Sequence, residues 1–210
     1  MSNYHIPLYP GKIYHLFTHA VGNEILFINE SNYSFFLQKF VLHTNWVARV
    51  LSYCLMPNHL HFTVRIRDEW ECIEHFELKK EKKYECAKHD LSDFIMERFS
   101  NCLNSYTKSF NKVFDRKGAL FIDYLKRNEV DSIKYLENLI NYHHFNPVHH
   151  GFVKDPLDWK WSSVHTYFLN KRSIISKDLI IELTGSSEFE WLSKGQPTCI
   201  SSEDDPFLDL

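Results

Sequence analysis

Two histidines separated by one apolar residue and preceded by a Pro-Asn turn constrain this chain more than any other stretch: Leu55-Met-Pro-Asn-His59-Leu-His61-Phe-Thr-Val64. In a strand, the period of two puts His59 and His61 on one face and Leu60 and Phe62 on the other. Val47 to Leu55 is rich in strand formers, Met56-Pro57-Asn58 reads as a tight turn, and His59 to Ile66 alternates again. The histidines therefore open the second strand of a hairpin. Taken alone, a His-x-His is more often two half-exposed strand residues than a site, so the setting carries the weight.

The flanking segments supply the setting. Lys12 to Gly22 predicts a first strand, and Asn29 or Ser31 caps a helix with Tyr33, Phe36, Leu37, Phe40 and Val41 on one face. After the hairpin, the charged stretch Asp68 to Asp90 reads as an insertion or exposed helix. A second long helix, capped near Ser92, runs through Phe94, Ile95, Phe99, Leu103, Tyr106 and Phe110. Gly118 to Lys126 predicts a fourth strand, and Asp131 or Ser132 caps a third helix ending near Asn146-Pro147. Strand, helix, strand, strand, helix, strand is the order of an α+β ferredoxin-like antiparallel sheet (βαββαβ), here with an additional helix behind it. Asp158 to Phe168 and Asp178 to Leu183 add helical pieces. The expected division is a domain over 1–168, containing the charged insertion 68–90, and a C-terminal extension over 169–210.

With 210 residues and 44% hydrophobic content, the chain has enough material for one packed domain and additions. No run is apolar enough to span a membrane, and the N-terminus lacks the basic and apolar regions of a signal peptide, so a cytoplasmic location is expected. Five cysteines without a dense framework read as reduced thiols. Cys72-Ile-Glu-His75 and Cys86-Ala-Lys-His89 repeat a unit that can supply zinc ligands, but the surrounding Glu and Lys favour a charged helix. The net charge of −3 is unevenly placed. Six acids against Lys194 leave residues 187–210 at −5 and the rest at +2. Between residues 104 and 129, Lys108, Lys112, Arg116, Lys117, Lys126 and Arg127 outnumber the acids, making a local basic strip or a solvated helix face.

The third helix carries the second half of the chemistry. Ile133, Leu136 and Ile140 define a core-facing stripe, beside a second one of Tyr135, Leu139, Tyr142 and Asn146. Tyr142 and Asn146 are four apart, hence neighbours on one face, so a hydroxyl and an amide oxygen can serve one site.

Met56-Pro-Asn-His59-Leu-His61, together with Tyr142-x-x-x-Asn146-Pro147-Val148-x-x-Gly151-Phe152-Val153, resembles the single-tyrosine HUH transposases, most closely the REP-associated tyrosine transposases. Tyr14-His15, Gly118-x-Leu120-Phe121 and Asp158-Trp-Lys-Trp161-Ser-Ser163 are similar to that family as well, and the similarity spans about residues 11–168. The resemblance implies cleavage and rejoining of single-stranded DNA beside a hairpin. It makes Tyr142 the nucleophile, and His59, His61 and Asn146 the ligands of a divalent cation, Mg²⁺ or Mn²⁺. Relatives include monomers and dimers, so a homodimer is possible.

The chemistry suits these groups. Two imidazoles and an amide oxygen leave positions open for phosphate and water. Arg116, Lys117, Lys126 and Arg127 are the candidate DNA phosphate contacts. Of His143, His144, His149 and His150, at least three read as surface residues, while one could orient the tyrosine or carry a proton. His15 and His19 read equally as partners of the metal ligands or as buried strand residues. Tyr135 reads as packing, and Trp159 and Trp161 as anchors for the C-terminal piece. A protein that binds DNA or RNA hairpins on this fold without cutting is the alternative, and a nuclease without a covalent intermediate is another.

Overall fold

The computed structural model describes residues 5–122, 125–169, 173–186, 189 and 192. The hairpin forms as its sequence dictates. Strand β2 (Ala48–Leu55) and strand β3 (His59–Ile66) pair antiparallel, with Leu55 opposite Leu60 across the Pro57-Asn58 turn. The turn is clamped from outside, since Leu26 and Ala20 donate their backbone N–H groups to the carbonyls of Pro57 and Asn58, each at 2.7 Å. Strand β1 (Ile13–His19) pairs with β3 on the other side, and strand β4 (Lys126–Glu129) pairs with β1. The order β2-β3-β1-β4, antiparallel throughout, is the ferredoxin-like arrangement.

Alternation gives the sheet two unlike faces. Tyr14, Leu16, Leu60, Phe62, Val64 and Ile66 face helix α1 (Glu30–Thr44) and helix α3 (Leu91–Val113) in one hydrocarbon core, where Phe40 and Phe62 stack with ring centroids 3.9 Å apart. The other face meets helix α4 (Ile133–His149), whose Leu136, Leu139, Ile140 and Tyr142 build a second core with Leu51 and Val130. A bulge in β2 between Val50 and Ser52 lets Leu51 pack in that second core while Ser52 bonds α4 through His143.

Helix ends follow capping chemistry, with corrections to the expected limits. Asn29 caps α1 in a reciprocal capping box with Asn32. Helix α3 is capped by Asp90, two residues before Ser92, whose hydroxyl instead accepts from the backbone of Leu8 at 2.9 Å. Helix α4 is capped by Ser132 and continues through Pro147 to His149. It stops where Gly151, at φ +70°, turns the chain so that the N–H of Phe152 meets the carbonyl of Pro147 and that of Gly151 meets Val148. Proline so near the end forfeits one hydrogen bond, which the helix absorbs.

The fourth strand lies later than the expected 118–126. Leu120 and Phe121 look like strand residues but fill the first core from a loop, joined to the end of β1 by an Ala20–Phe121 bridge and by the N–H of Ile122 on the carbonyl of His19. The charged stretch does form a helix, α2 (Glu69–Lys80), yet Cys72, His75 and Phe76 are buried rather than exposed, with Phe76 edge-on to Phe94 of α3 at 5.1 Å. Past α4, a 3-10 turn (Pro156–Asp158), helix α5 (Val164–Phe168) and helix α6 (Lys177–Thr184) complete the described chain. Trp159 donates to the carbonyl of Leu55 at 3.1 Å and Trp161 stacks on Tyr33 at 4.7 Å, so both tryptophans are anchors. Apart from Phe189 and Leu192, the acidic tail lies outside the described residues, as does Cys199. Among the described residues, no helix is long and apolar enough to cross a membrane.

Candidate active site

Strand alternation and one helix face converge on the second side of the sheet. His59 and His61 lie on β3, opposite His19 and Phe17 of β1 in register, and their rings meet edge to face at 5.2 Å. Asn146 comes down from α4 and is fully buried. Its Oδ1 stands 3.2 Å from His59 Nε2, and its Nδ2 donates to the Tyr142 hydroxyl at 2.9 Å. Tyr142 is 1% exposed and lies edge-on to His61 at 5.7 Å. The four residues singled out in sequence as nucleophile and ligands are thus within one site.

Asn58 Oδ1 lies 2.8 Å from His59 Nδ1, so a ring protonated at Nδ1 donates to it and turns the Nε2 lone pair toward Asn146 Oδ1. In that tautomer two acceptors face each other, an arrangement that a cation between them relieves. Adjacent ligands of an octahedral ion, at about 2.0–2.1 Å from it, are about 3 Å apart, so the pair fits such an ion.

Beneath this set is a second group that sequence reasoning did not assemble. His15, His61 and His143, all fully buried, have ligand atoms within 4.8 Å of one another. His15 Nε2 is 3.0 Å from His61 Nδ1, and Ser52 Oγ is 2.8 Å from His143 Nδ1. Burial holds the His143 imidazolium well below the usual histidine range, with His15, His61 and His144 adding to the effect. His144, bonded to Ser163 Oγ at 2.9 Å, is pushed by burial down to about 3, with His165 contributing. Both are therefore neutral at ordinary pH, the form that ligates metals. Among the described residues, this is the group of three or more able to hold a metal, and the two Cys-x-x-His units do not form one.

The expectation that three of the four histidines around the tyrosine are surface residues is thereby overturned. His143 and His144 are buried because α4 is packed against β2 on their side, whereas His149 is exposed and His150 is half-buried beside His59, their rings 5.0 Å apart. His15 could be placed on a face by alternation. Its pairing with His61 required knowing that β1 neighbours β3.

Access is from the His59 side. A cleft of about 650 Å³ is lined there by His19, Asn23, Glu24, Asn58, His150 and Phe152, among others. The four basic candidates are differently placed. Arg127 is 8% exposed and donates to the carbonyls of Ile6 and Leu125, and burial lowers its pKa. Arg116 pairs with Glu24 at 3.0 Å and donates to the carbonyls of Gly118 and Ala119. Lys117 is exposed and Lys126 half-buried. Tyr135 packs against the second core.

A solved structure of a REP-associated tyrosine transposase bound to a REP hairpin superposes with a TM-score of 0.59, covering 83% of this chain and 90% of that one at 14% identity. This chain has that transposase's fold. No family model matches the sequence, and no curated protein matches it. The likeness to the transposase fold extends beyond the sheet to most of the chain, α4 being the element that brings Tyr142 and Asn146 to the histidine face.

Proposed function

We propose that this protein is a DNA strand transferase of the tyrosine transposase kind, which cleaves and rejoins single-stranded DNA beside hairpins through a 5′-phosphotyrosine. Tyr142 is the nucleophile, and His59, His61 and Asn146 hold Mg²⁺ or Mn²⁺. The observation that carries this reading is the position of Asn146, bonded to the Tyr142 hydroxyl and facing His59 Nε2. The ion, when bound, polarises a phosphate oxygen and offsets charge in the transition state. Tyr142 attacks phosphorus, its oxygen forms the new P–O bond, and the 3′-oxygen leaves. The phenolic proton passes to solvent or an adjoining imidazole. A 3′-hydroxyl later attacks the phosphotyrosine and restores the DNA linkage without an external energy source.

Asn146 holds the phenol in place, and Asn58 orients His59. DNA enters along the cleft between Asn23, Asn58 and Phe152, and exposed Lys117 and half-buried Lys126 contact phosphates. Arg116 and Arg127 share the basic strip while also bonding the protein's own backbone. Since Tyr142 is almost wholly covered, its hydroxyl must be uncovered for DNA to reach it.

The test is a pool of labelled single-stranded hairpins incubated with Mn²⁺ and resolved on a denaturing gel. The expected result is a protein–DNA adduct that requires both metal and Tyr142. Cutting by Tyr142→Phe would point to a water-using nuclease, and tight binding without an adduct to a hairpin-binding protein.

A further inference from the structure

We propose that His15, His61 and His143 form a buried transition-metal site of the zinc class, distinct from the His59, His61 and Asn146 set and sharing His61 with it. The three rings come from β1, β3 and α4, and their centroids are 5.3, 5.2 and 5.5 Å apart. That is nearly an equilateral triangle. A tetrahedral ion about 2.0–2.1 Å from each ring nitrogen places imidazole centroids about 5 Å apart, so the ring spacing suits it, while His15 Nε2 and His61 Nδ1, 3.0 Å apart, turn from each other toward the ion on binding.

The donors point the same way. Ser52 Oγ, 2.8 Å from His143 Nδ1, fixes that ring, while His143 Nε2 is buried with no hydrogen-bond partner. A buried nitrogen in that state carries a desolvation cost that coordination removes. Ser52 is then the outer partner that metal-bound histidines usually have. Three imidazoles without a carboxylate suit Zn²⁺, Co²⁺, Ni²⁺ or Cu²⁺ far better than Mg²⁺ or Mn²⁺. A set of three histidines leaves a fourth position for water.

Such an ion ties the tyrosine helix to the two central strands, one residue away from Tyr142. It also competes for His61. A neutral imidazole has one lone pair, so His61 serves one ion at a time. Zinc in the inner site therefore withdraws His61 from the outer set and suppresses strand transfer. This last consequence rests on the proposed reaction; the metal site itself does not.

The test uses the untagged full chain, stripped of metal and titrated with Co²⁺, read by the visible spectrum of tetrahedral cobalt and by displacement with Zn²⁺. One equivalent of tetrahedral cobalt is expected in the wild type and in His59→Ala and Asn146→Ala. His15→Asn and His143→Asn, checked for folding by circular dichroism, should bind at least tenfold more weakly. The inference is overturned if folded wild type takes up no tetrahedral cobalt. It is equally overturned if His59→Ala or Asn146→Ala loses the spectrum while His15→Asn keeps it. Cobalt bound as expected by a protein that forms no DNA adduct would remove the transposase reading and leave the inner site standing.

Discussion

Asn146 donates through Nδ2 to the hydroxyl of Tyr142 at 2.9 Å, one helical turn away on α4. The same amide presents its oxygen to His59, so one side chain couples the proposed nucleophile to a proposed metal ligand. Asn146→Asp separates the two roles. It keeps an oxygen ligand but loses the donor to Tyr142. Mn²⁺ affinity, followed by calorimetry, should be held or raised, while the adduct-forming rate should fall about tenfold, as expected for loss of a hydrogen bond worth about 0.5–1.5 kcal/mol. Parallel losses in both would show that the amide donor has no separate role.

Tyr142→Phe should abolish the adduct and also destabilise the fold. The buried Nδ2 of Asn146 loses its acceptor, a cost of about 1–3 kcal/mol. For a chain of this size, each kcal/mol lowers the midpoint of thermal unfolding by about 2–4 °C. An unchanged midpoint would mean that the hydroxyl makes no such bond in solution.

The basic residues divide into two groups with separable signatures. Arg127→Ala should lower stability by about 1–3 kcal/mol, because its guanidinium is buried against backbone carbonyls that lose their donors. Lys117→Ala should leave unfolding unchanged and flatten the salt dependence of single-stranded DNA binding by about 0.7 in log–log slope, the amount for one phosphate contact. Equal salt slopes for wild type and variant would take Lys117 out of the interface.

Acid should weaken the fold through His75, whose imidazole burial lowers to about 4, with Arg98 and Lys79 adding. The unfolded chain, with an ordinary histidine, takes up its proton near pH 6.5, before the folded one does. Stability from this group is complete above pH 6.5 and is lost as pH falls toward 4, by up to about 1.4 kcal/mol per pH unit. Denaturant unfolding across that range should show a shallower slope for His75→Phe, which keeps the contacts with Trp46 and Phe94. An identical slope would assign acid lability elsewhere.

Much of this molecule is written in local rules. Period-two alternation placed His59 and His61 on one face, and Tyr142 and Asn146 share a helix face through their four-residue spacing. What local rules do not carry is strand adjacency. His15 meets His61 because β1 lies beside β3, and His143 joins them because α4 packs against β2, where Ser52 bonds it. Leu120 and Phe121 misled for a related reason. A short apolar run reads alike whether it enters a ladder or plugs a core, and the pairing partner of β1 proved to be the more polar Lys126–Glu129.

The alternation of β3 has a consequence for how such a protein can change over time. Its even-numbered residues are hydrocarbon, and its odd-numbered ones include both histidines. Deleting one residue inside this strand would exchange oil for imidazole along everything downstream of the cut, emptying the site and flooding the core in the same event. Foldability and chemistry are thus inherited together here. Variation in this strand is confined to substitutions, while the largely exposed connection between α2 and α3, residues 81–88, remains a place where length can drift.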